Sequence, residues 1–330
     1  MVKSLFEAFK SKRIVIVGDV MLDAYLIGNV TRISPEAPVP IVNLKYSENR
    51  LGGAANVALN IVALGAEAII CAVVGEDKAG NDLVNLFEEN HIDAEGLILS
   101  NSRNTTVKTR ILGNNQQLLR IDSEHTNELS AHEQELLILK VISILDSGVD
   151  ALVFEDYNKG VLTSNVIQRI TNECIKRNIP TTVDPKKDNF LEYKNVTLFK
   201  PNLKELKEGL GVTFDFQNKA LFEAAVDDLE TKLNNEITFV TLSEHGVFIK
   251  SKSEKYYIPA HVRTIADVSG AGDTVISVAT LCLTLGLPIE TIASYANLAG
   301  GLVCEESGVV SIQTDQLVQE IERLQFEANS

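Results

Sequence analysis

Three observations predict an α/β fold: a mainly parallel central sheet flanked by helices, with a small separate β-sheet. Short, continuously apolar runs alternate with segments of helical length. Several of those runs close on a glycine or an acid, as "RIVIVGD" (Arg13–Asp19) does. Two stretches, about 24–50 and 104–122, break the alternation with strand-like patterns of their own. Parallel strands covered on both faces read as unbroken hydrophobic runs, whereas exposed or edge strands carry alternation and prolines. A chain of 330 residues has room for about two domains. With no linker, repeat or low-complexity segment, one domain over residues 1–330 with an inserted small sheet is the expectation.

Taken in order, residues 13–19 read as a buried strand and "VTRISPEAPVPIVNLKYSENRL" as exposed strands with three prolines. "GGAANVALNIVALGA" is apolar nearly all round and so predicts an interior helix. Strand, helix and strand follow in "AIICAVVGED", "AGNDLVNLFEENH" and "GLILS", and Gly113-Asn114-Asn115 marks a hairpin. Ser130 and Glu133 form a capping-box signature for a helix through Leu145. "ALVFED", "PTTVDP" and "VTLFKPN" predict strands around a helix in "TSNVIQRITNECIKRN", with helices at 202–209 and 217–233. "ITFVTLSEHGVFIKS" and "EKYYIPA" suit a β-meander, and helices near 272–286, 288–304 and 314–326 end the chain.

Composition excludes several functions. The 45 acidic against 30 basic residues give a net charge of −15, which argues against a nucleic-acid partner. Cys71, Cys174, Cys282 and Cys304 form no CxxC pair, and the five histidines are scattered, so neither zinc nor a disulfide framework is indicated. The start "MVKSLFEAFKSKR" lacks a signal-peptide core and no run approaches the roughly 18 apolar residues of a membrane span. A cytoplasmic protein with no membrane partner is expected.

The chemistry concentrates in four places. In "DVSGAGDT", Gly270, Ala271 and Gly272 lead straight into Asp273 and an apolar helix. Glycines at a helix start turn several N–H groups toward one point, and with the helix dipole they form an anion site. A carboxylate beside that cradle can take a hydroxyl proton while the cradle holds the phosphate under attack, a geometry suited to phosphoryl transfer. An aspartate that merely caps the helix is the plain alternative. "GGAAN" places Gly52 and Gly53 before a second helix, with Asn56 available to sugar hydroxyls. "GDVMLD" sets Asp19 and Asp23 just past the first strand, at the end where open α/β sheets bind ligands. In "KPNLKE", Asn202 and Glu205 open a helix with oxygen ligands suited to Mg2+ or a nucleotide phosphate, although simple capping by Asn202 explains them equally.

The order "GGAAN", "PNLKE", "TLSEHG", "DVSGAGDT" resembles the ribokinase-like (PfkB) carbohydrate kinases over essentially the whole chain. "GDVMLDAYLIGNVTRISPEAPVPIV" and "NNQQLLRID" are similar within that family to the kinases of D-glycero-β-D-manno-heptose 7-phosphate. The resemblance implies ATP and Mg2+ as cofactors, with room for a monovalent cation, and Asp273 as catalytic base above an anion hole of Gly270, Ala271 and Gly272. It implies nucleotide binding by Asn202, Leu203, Lys204, Glu205, Ser243, Glu244 and Gly246, and the side-chain oxygens of Asn202 and Glu205 stay the candidates for the metal. Asp19, Gly52, Gly53 and Asn56 fall on its sugar side, where Asp23 joins them by its place past the first strand, and the small sheet becomes a lid that pairs two copies into a homodimer. Ser269 stands where the family often has threonine, so the hydroxyl remains. No nucleotidyltransferase signature follows, and the kinase step alone is expected.

A phosphorylated sugar needs cations. Arg32, Lys108, Arg110, Arg120, Lys159 and Lys186 are the candidates, and "EDYNKG", with Asp156 beside it, favours Lys159. The alternatives are a kinase of the same family acting on another sugar, sugar phosphate or nucleoside, and a non-catalytic sugar-phosphate sensor. A nicotinamide enzyme is disfavoured because no GxGxxG follows the first strand.

Overall fold

The structure, a computed structural model, describes residues 2–261 and 263–328. Helix α1 (Val2–Phe9) leads into β1 (Arg13–Gly18), and two long strands follow at once, β2 (Val20–Ile33) and β3 (Pro40–Gly53). Next come α2 (Ala54–Ala63), β4 (Glu67–Cys71), β5 (Val73–Gly75), α3 (Lys78–Glu89), β6 (Ile98–Ser100) and the hairpin β7 (Val107–Gly113) and β8 (Gln116–Ser123). Then α4 (Ala131–Asp146), β9 (Ala151–Glu155), α5 (Ser164–Arg177), β10 (Thr181–Asp184), β11 (Leu198–Phe199), α6 (Leu203–Leu210) and α7 (Lys219–Leu233) alternate. The meander β12 (Ile237–Thr241), β13 (Val247–Ser251) and β14 (Lys255–Ile258) precedes α8 (Ala271–Thr284), α9 (Ile289–Val303) and α10 (Thr314–Ala328).

The main sheet runs β14-β13-β12-β11-β10-β9-β1-β4, parallel from β12 to β4 and antiparallel across the meander. β1 lies between β4 and β9, so the chain leaves it toward opposite sides, and the crevice at the carboxyl ends of β1 and β9 is where such sheets bind ligands. Alternation along β1 divides the core: Ile14 and Ile16 pack with α2, α8 and α9, while Val15 and Val17 pack with α4 and α5 on the other face.

The residues Asp273–Cys282 of α8 are all buried. Its hydroxyls are paired, Thr274 with Asn60 Oδ1 at 3.0 Å and Thr280 with Thr182 at 2.7 Å, so the helix enters the core without orphaned side-chain oxygens there.

The small sheet is ordered β3-β2-β7-β8. It is longer than the sequence suggests, because β2 springs directly from the end of β1 and roots Val20 and Leu22 in the core. Asp23 therefore sits within β2, and Gly52 and Gly53 end β3 immediately before α2, with Gly53 at its N-cap. The hairpin falls where expected, with Asn114 at φ 53° and Asn115 at φ 63°, the left-handed pair that a two-residue turn requires. Unforeseen was α1, whose Val2, Phe6 and Phe9 form one buried stripe. Among the described residues no helix is long and apolar enough to cross a membrane, and the four cysteines are free and buried.

Candidate active site

Gly270 precedes α8 at φ 82°, a conformation that favours glycine, and a Cβ there would lie 2.9 Å from Asn56 Nδ2. The turn puts Asp273 in the first turn of α8, 5% exposed. Asn56 Nδ2 donates to its Oδ2 at 2.6 Å and the Tyr157 hydroxyl donates to its Oδ1 at 3.0 Å. Burial, with Asp184 adding repulsion, pushes the Asp273 carboxyl up to about 6 against the opposing bonds from Asn56 and Tyr157 and the charge of Lys200. The group is thus ionised at neutral pH yet basic enough to accept a proton. The Gly272 and Asp273 amides, lacking a preceding turn, have no acceptor among the described residues.

Asn56 was expected on the sugar side. It is fully buried, and Asn60 in turn donates to its carbonyl at 2.9 Å, so Asn56 supports Asp273 instead of facing a ligand. Asp19 is likewise corrected. Its Oδ2 accepts from the Tyr157 and Lys159 amides at 2.8 and 3.0 Å and its Oδ1 from the Val161 amide at 3.1 Å, so it ties down the loop after β9. Asp156 is spent in the same way, accepting from Tyr193 at 2.7 Å, Asn189 at 3.2 Å and the Asn158 amide at 2.8 Å.

Beside the α8 amino terminus opens a cleft of about 1020 Å3, lined by Asp184, Lys200, Leu203, Ser243, Gly270 and Asp273 among others. Asn202 and Glu205 border it, but their predicted metal role is not what the geometry supports. Asn202 Oδ1 accepts from the Glu205 amide at 2.8 Å, and Glu205 Oε2 accepts from the Asn202 amide at 2.8 Å, a reciprocal capping box. Lys186 takes the remaining Glu205 oxygen at 2.7 Å. Lys204 lies exposed on the rim, and Glu244 is exposed beyond the lining, in the short turn that Ser243 begins and Gly246 ends.

A carboxylate cluster able to hold a metal lies deeper. Ligand oxygens of Glu155, Asp184 and Asp273 come within 4.8 Å of one another, and neither Glu155 oxygen has a hydrogen-bond partner among the described residues. Burial and the neighbouring Asp184 and Asp273 charges push the Glu155 carboxyl well up. An orphaned buried carboxylate among other acids fits a divalent cation held by oxygen ligands. Lys200 pairs with Asp184 at 2.7 Å; burial depresses its ammonium, but Asp184 and Glu205 more than offset that.

The inner face of the small sheet is charged. Strand register aligns Arg50, Asp23, Lys108 and Asp122 in one row and Glu48, Tyr25, Arg110 and Arg120 in the next. Asp23 is ion-paired with Arg110, and a Cβ on Gly52 would fall 2.3 Å from Asp23 Oδ2, so the glycine makes room for that pair. Arg120 is paired with Asp122 at 2.8 Å and Lys159, the favoured cation, with Glu124 at 2.8 Å. Lys108 has no ion pair or hydrogen bond among the described residues; its ammonium lies 5.7 Å from the centre of the Tyr157 ring. Arg32 is excluded by distance: nine residues beyond Asp23 along β2, roughly 30 Å at a strand's rise, it lies exposed toward the far end of the sheet.

Sequence reasoning missed Glu155, Tyr157, Asp184 and Lys200. The first two flank Asp156 in the very stretch it singled out, and strand alternation was the signal that points them to the other side.

These features, a ribokinase-like sheet with an acid at a glycine-led helix start, agree with the family comparison: residues 11–316 match the pfkB family carbohydrate kinase, and the chain belongs to that family. It is a carbohydrate kinase. The bifunctional protein HldE of Methylobacillus flagellatus is 39% identical over 317 residues, 96% of this chain and 64% of that protein. HldE of Trichlorobacter lovleyi is 36% identical over 319 residues, with the same coverage. The chain therefore spans just under two thirds of the length of these relatives. Phosphofructokinase-2 from Escherichia coli in complex with potassium aligns with TM-score 0.79 at 19% identity, over 95% of this chain and 98% of that one. Arabidopsis thaliana ribokinase complexed with ribose and ATP aligns with TM-score 0.71 at 17% identity, over 93% and 99%. Both share the fold.

Proposed function

We propose that the chain transfers the γ-phosphoryl group of ATP to the anomeric hydroxyl of D-glycero-β-D-manno-heptose 7-phosphate, giving the 1,7-bisphosphate used in ADP-heptose synthesis for the lipopolysaccharide core. One observation carries the reading: a buried carboxylate, Asp273, stands at the amino terminus of α8 beside amides with no acceptor among the described residues, at the edge of a cleft large enough for a nucleotide. Likeness to HldE over 96% of the chain supports the choice of heptose.

Asp273 takes the proton of the sugar hydroxyl as its oxygen bonds the γ-phosphorus, and the bond from that phosphorus to the bridging oxygen breaks to release ADP. The Gly272 and Asp273 amides stabilise charge on the moving phosphoryl group. Lys186 and Lys200 face the polyphosphate from the cleft wall. Glu155 and Asp184 would hold Mg2+, which when bound neutralises phosphate charge. A monovalent cation is an additional proposed cofactor. The inner face of the small sheet covers the sugar and excludes water, and Lys108, unpaired among the described residues, receives the sugar's own phosphate. On the outer face Leu119 and Ile121 are exposed, which supports a homodimer through this lid.

A panel of sugars with and without a terminal phosphate, read by ADP release and product identification, tests the proposal. Turnover is expected to be greatest on the heptose 7-phosphate. Preference for an unphosphorylated sugar or a nucleoside contradicts it.

A further inference from the structure

We infer that Tyr157 is a positioning residue for phosphoryl transfer, fixing the Asp273 carboxylate in the orientation from which it receives the acceptor hydroxyl. The inference rests on the reading of Asp273 as the base and deepens it.

A carboxylate with a single donor can still pivot about that bond. Here each oxygen has its own donor: the Asn56 amide holds Oδ2 at 2.6 Å and the Tyr157 phenol holds Oδ1 at 3.0 Å. Orientation is then fixed, and each oxygen keeps one lone pair for the hydroxyl. The alternatives to that orientation are real. Asp184 repels the carboxylate, and Lys200, on the cleft wall, attracts it. Without the phenol, Asp273 would swing toward Lys200 and away from the sugar.

Tyr157 is itself held at three places. Its amide donates to Asp19 Oδ2 at 2.8 Å, which binds it to the end of β1. The Lys108 ammonium of β7 lies 5.7 Å from its ring centre and the Lys186 ammonium, beyond β10, lies 5.3 Å from it. The amides of Lys159 and Val161 also end on Asp19, so the whole turn carrying Tyr157 is anchored. A side chain fastened through its backbone, ring and hydroxyl is built to position another group, and a misplacement of about 1 Å at a reacting atom costs about 100-fold in rate.

The same hydroxyl-to-carboxylate bond has a rival meaning: the phenol occupies the place of the acceptor hydroxyl and must leave before the sugar binds. Tyr157→Phe, which removes one oxygen and keeps the ring, separates the two. Positioning predicts that kcat falls about tenfold or more, while KM for sugar and for ATP stays within about twofold. It also predicts a melting temperature close to wild type, and no further loss when Tyr157→Phe is added to Asp273→Asn. An unchanged or raised kcat, a lowered KM for the sugar, or an equal loss in the Asp273→Asn background overturns the inference. If Tyr157→Phe melts early, 3-fluorotyrosine at 157, which keeps the donor and the ring, is expected to retain turnover; its loss likewise overturns the inference. A wild-type chain inactive on every sugar overturns the proposed function first, so the two failures are distinguishable.

Discussion

Asn56 and Asp273 are 217 positions apart in the chain and are joined by a 2.6 Å hydrogen bond from the Asn56 amide to the Asp273 carboxylate. The bond locks the first turns of α2 and α8 together, the two helices that follow the two glycine pairs. It also accounts for Gly270, whose added Cβ would press on the donating nitrogen at 2.9 Å.

Asn56→Ala removes that donor and leaves a buried carboxylate oxygen unsatisfied. The loss of stability expected is about 1–3 kcal/mol, with kcat down about tenfold. Thermal denaturation and steady-state kinetics check both, and a variant equal to wild type in both would mean the bond neither supports the fold nor aims the base.

Lys108→Met keeps the packing of the stem and removes the charge. KM for the phosphorylated sugar should rise about 10–100-fold, the equivalent of one charge-assisted hydrogen bond. KM for an unphosphorylated analogue should not change. Equal effects on both sugars would assign Lys108 to the sheet's structure.

Glu155→Gln addresses the metal. The orphaned carboxylate is costly where it stands, so the variant should melt higher than wild type in the absence of divalent cations. The Mg2+ concentration for half-maximal activity should rise about tenfold or more. An unchanged Mg2+ requirement would remove Glu155 from the cation's ligands.

Glu133 gives a pH dependence remote from the site. Burial raises its carboxyl, but bonds from Ser100, Ser130 and Ser102 outweigh this and lower it from 4.5 to about 2. Its contribution is therefore complete above about pH 4.5 and is lost as pH falls toward 2. Between pH 5 and 3 the melting temperature of wild type should fall more steeply than that of Glu133→Gln; identical slopes would contradict the capping-box account.

Much of the fold was legible because period and punctuation are local signals. The apolar run of β1, the Asn114–Asn115 turn and the Ser130–Glu133 box each specify their element from within a few residues. The place of Asp273 in the first turn of a buried helix was legible for the same reason, since a glycine turn before a helix is itself local. What was not legible depends on the face a residue shows or on a distant partner. "EDYNKG" drew attention to Asp156 and Lys159, yet Glu155 and Tyr157 face the site, because neighbouring residues at a strand end point opposite ways. Asn202 and Glu205 carried two meanings in sequence, and only the reciprocal bonds decided for the cap. Among the described residues Lys108 is unpaired because its register neighbours Asp23 and Asp122 pair instead with Arg110 and Arg120, information spread over β2, β7 and β8.

The central claim is that Asp273 readies the sugar hydroxyl beside the amides that hold the migrating phosphoryl group. Asp273→Asn keeps the shape and the capping position while removing the base, and single-turnover rates on heptose 7-phosphate and ATP measure the consequence directly. The account predicts a fall of at least about 100-fold with melting temperature and ATP affinity preserved. Turnover near that of wild type would contradict it.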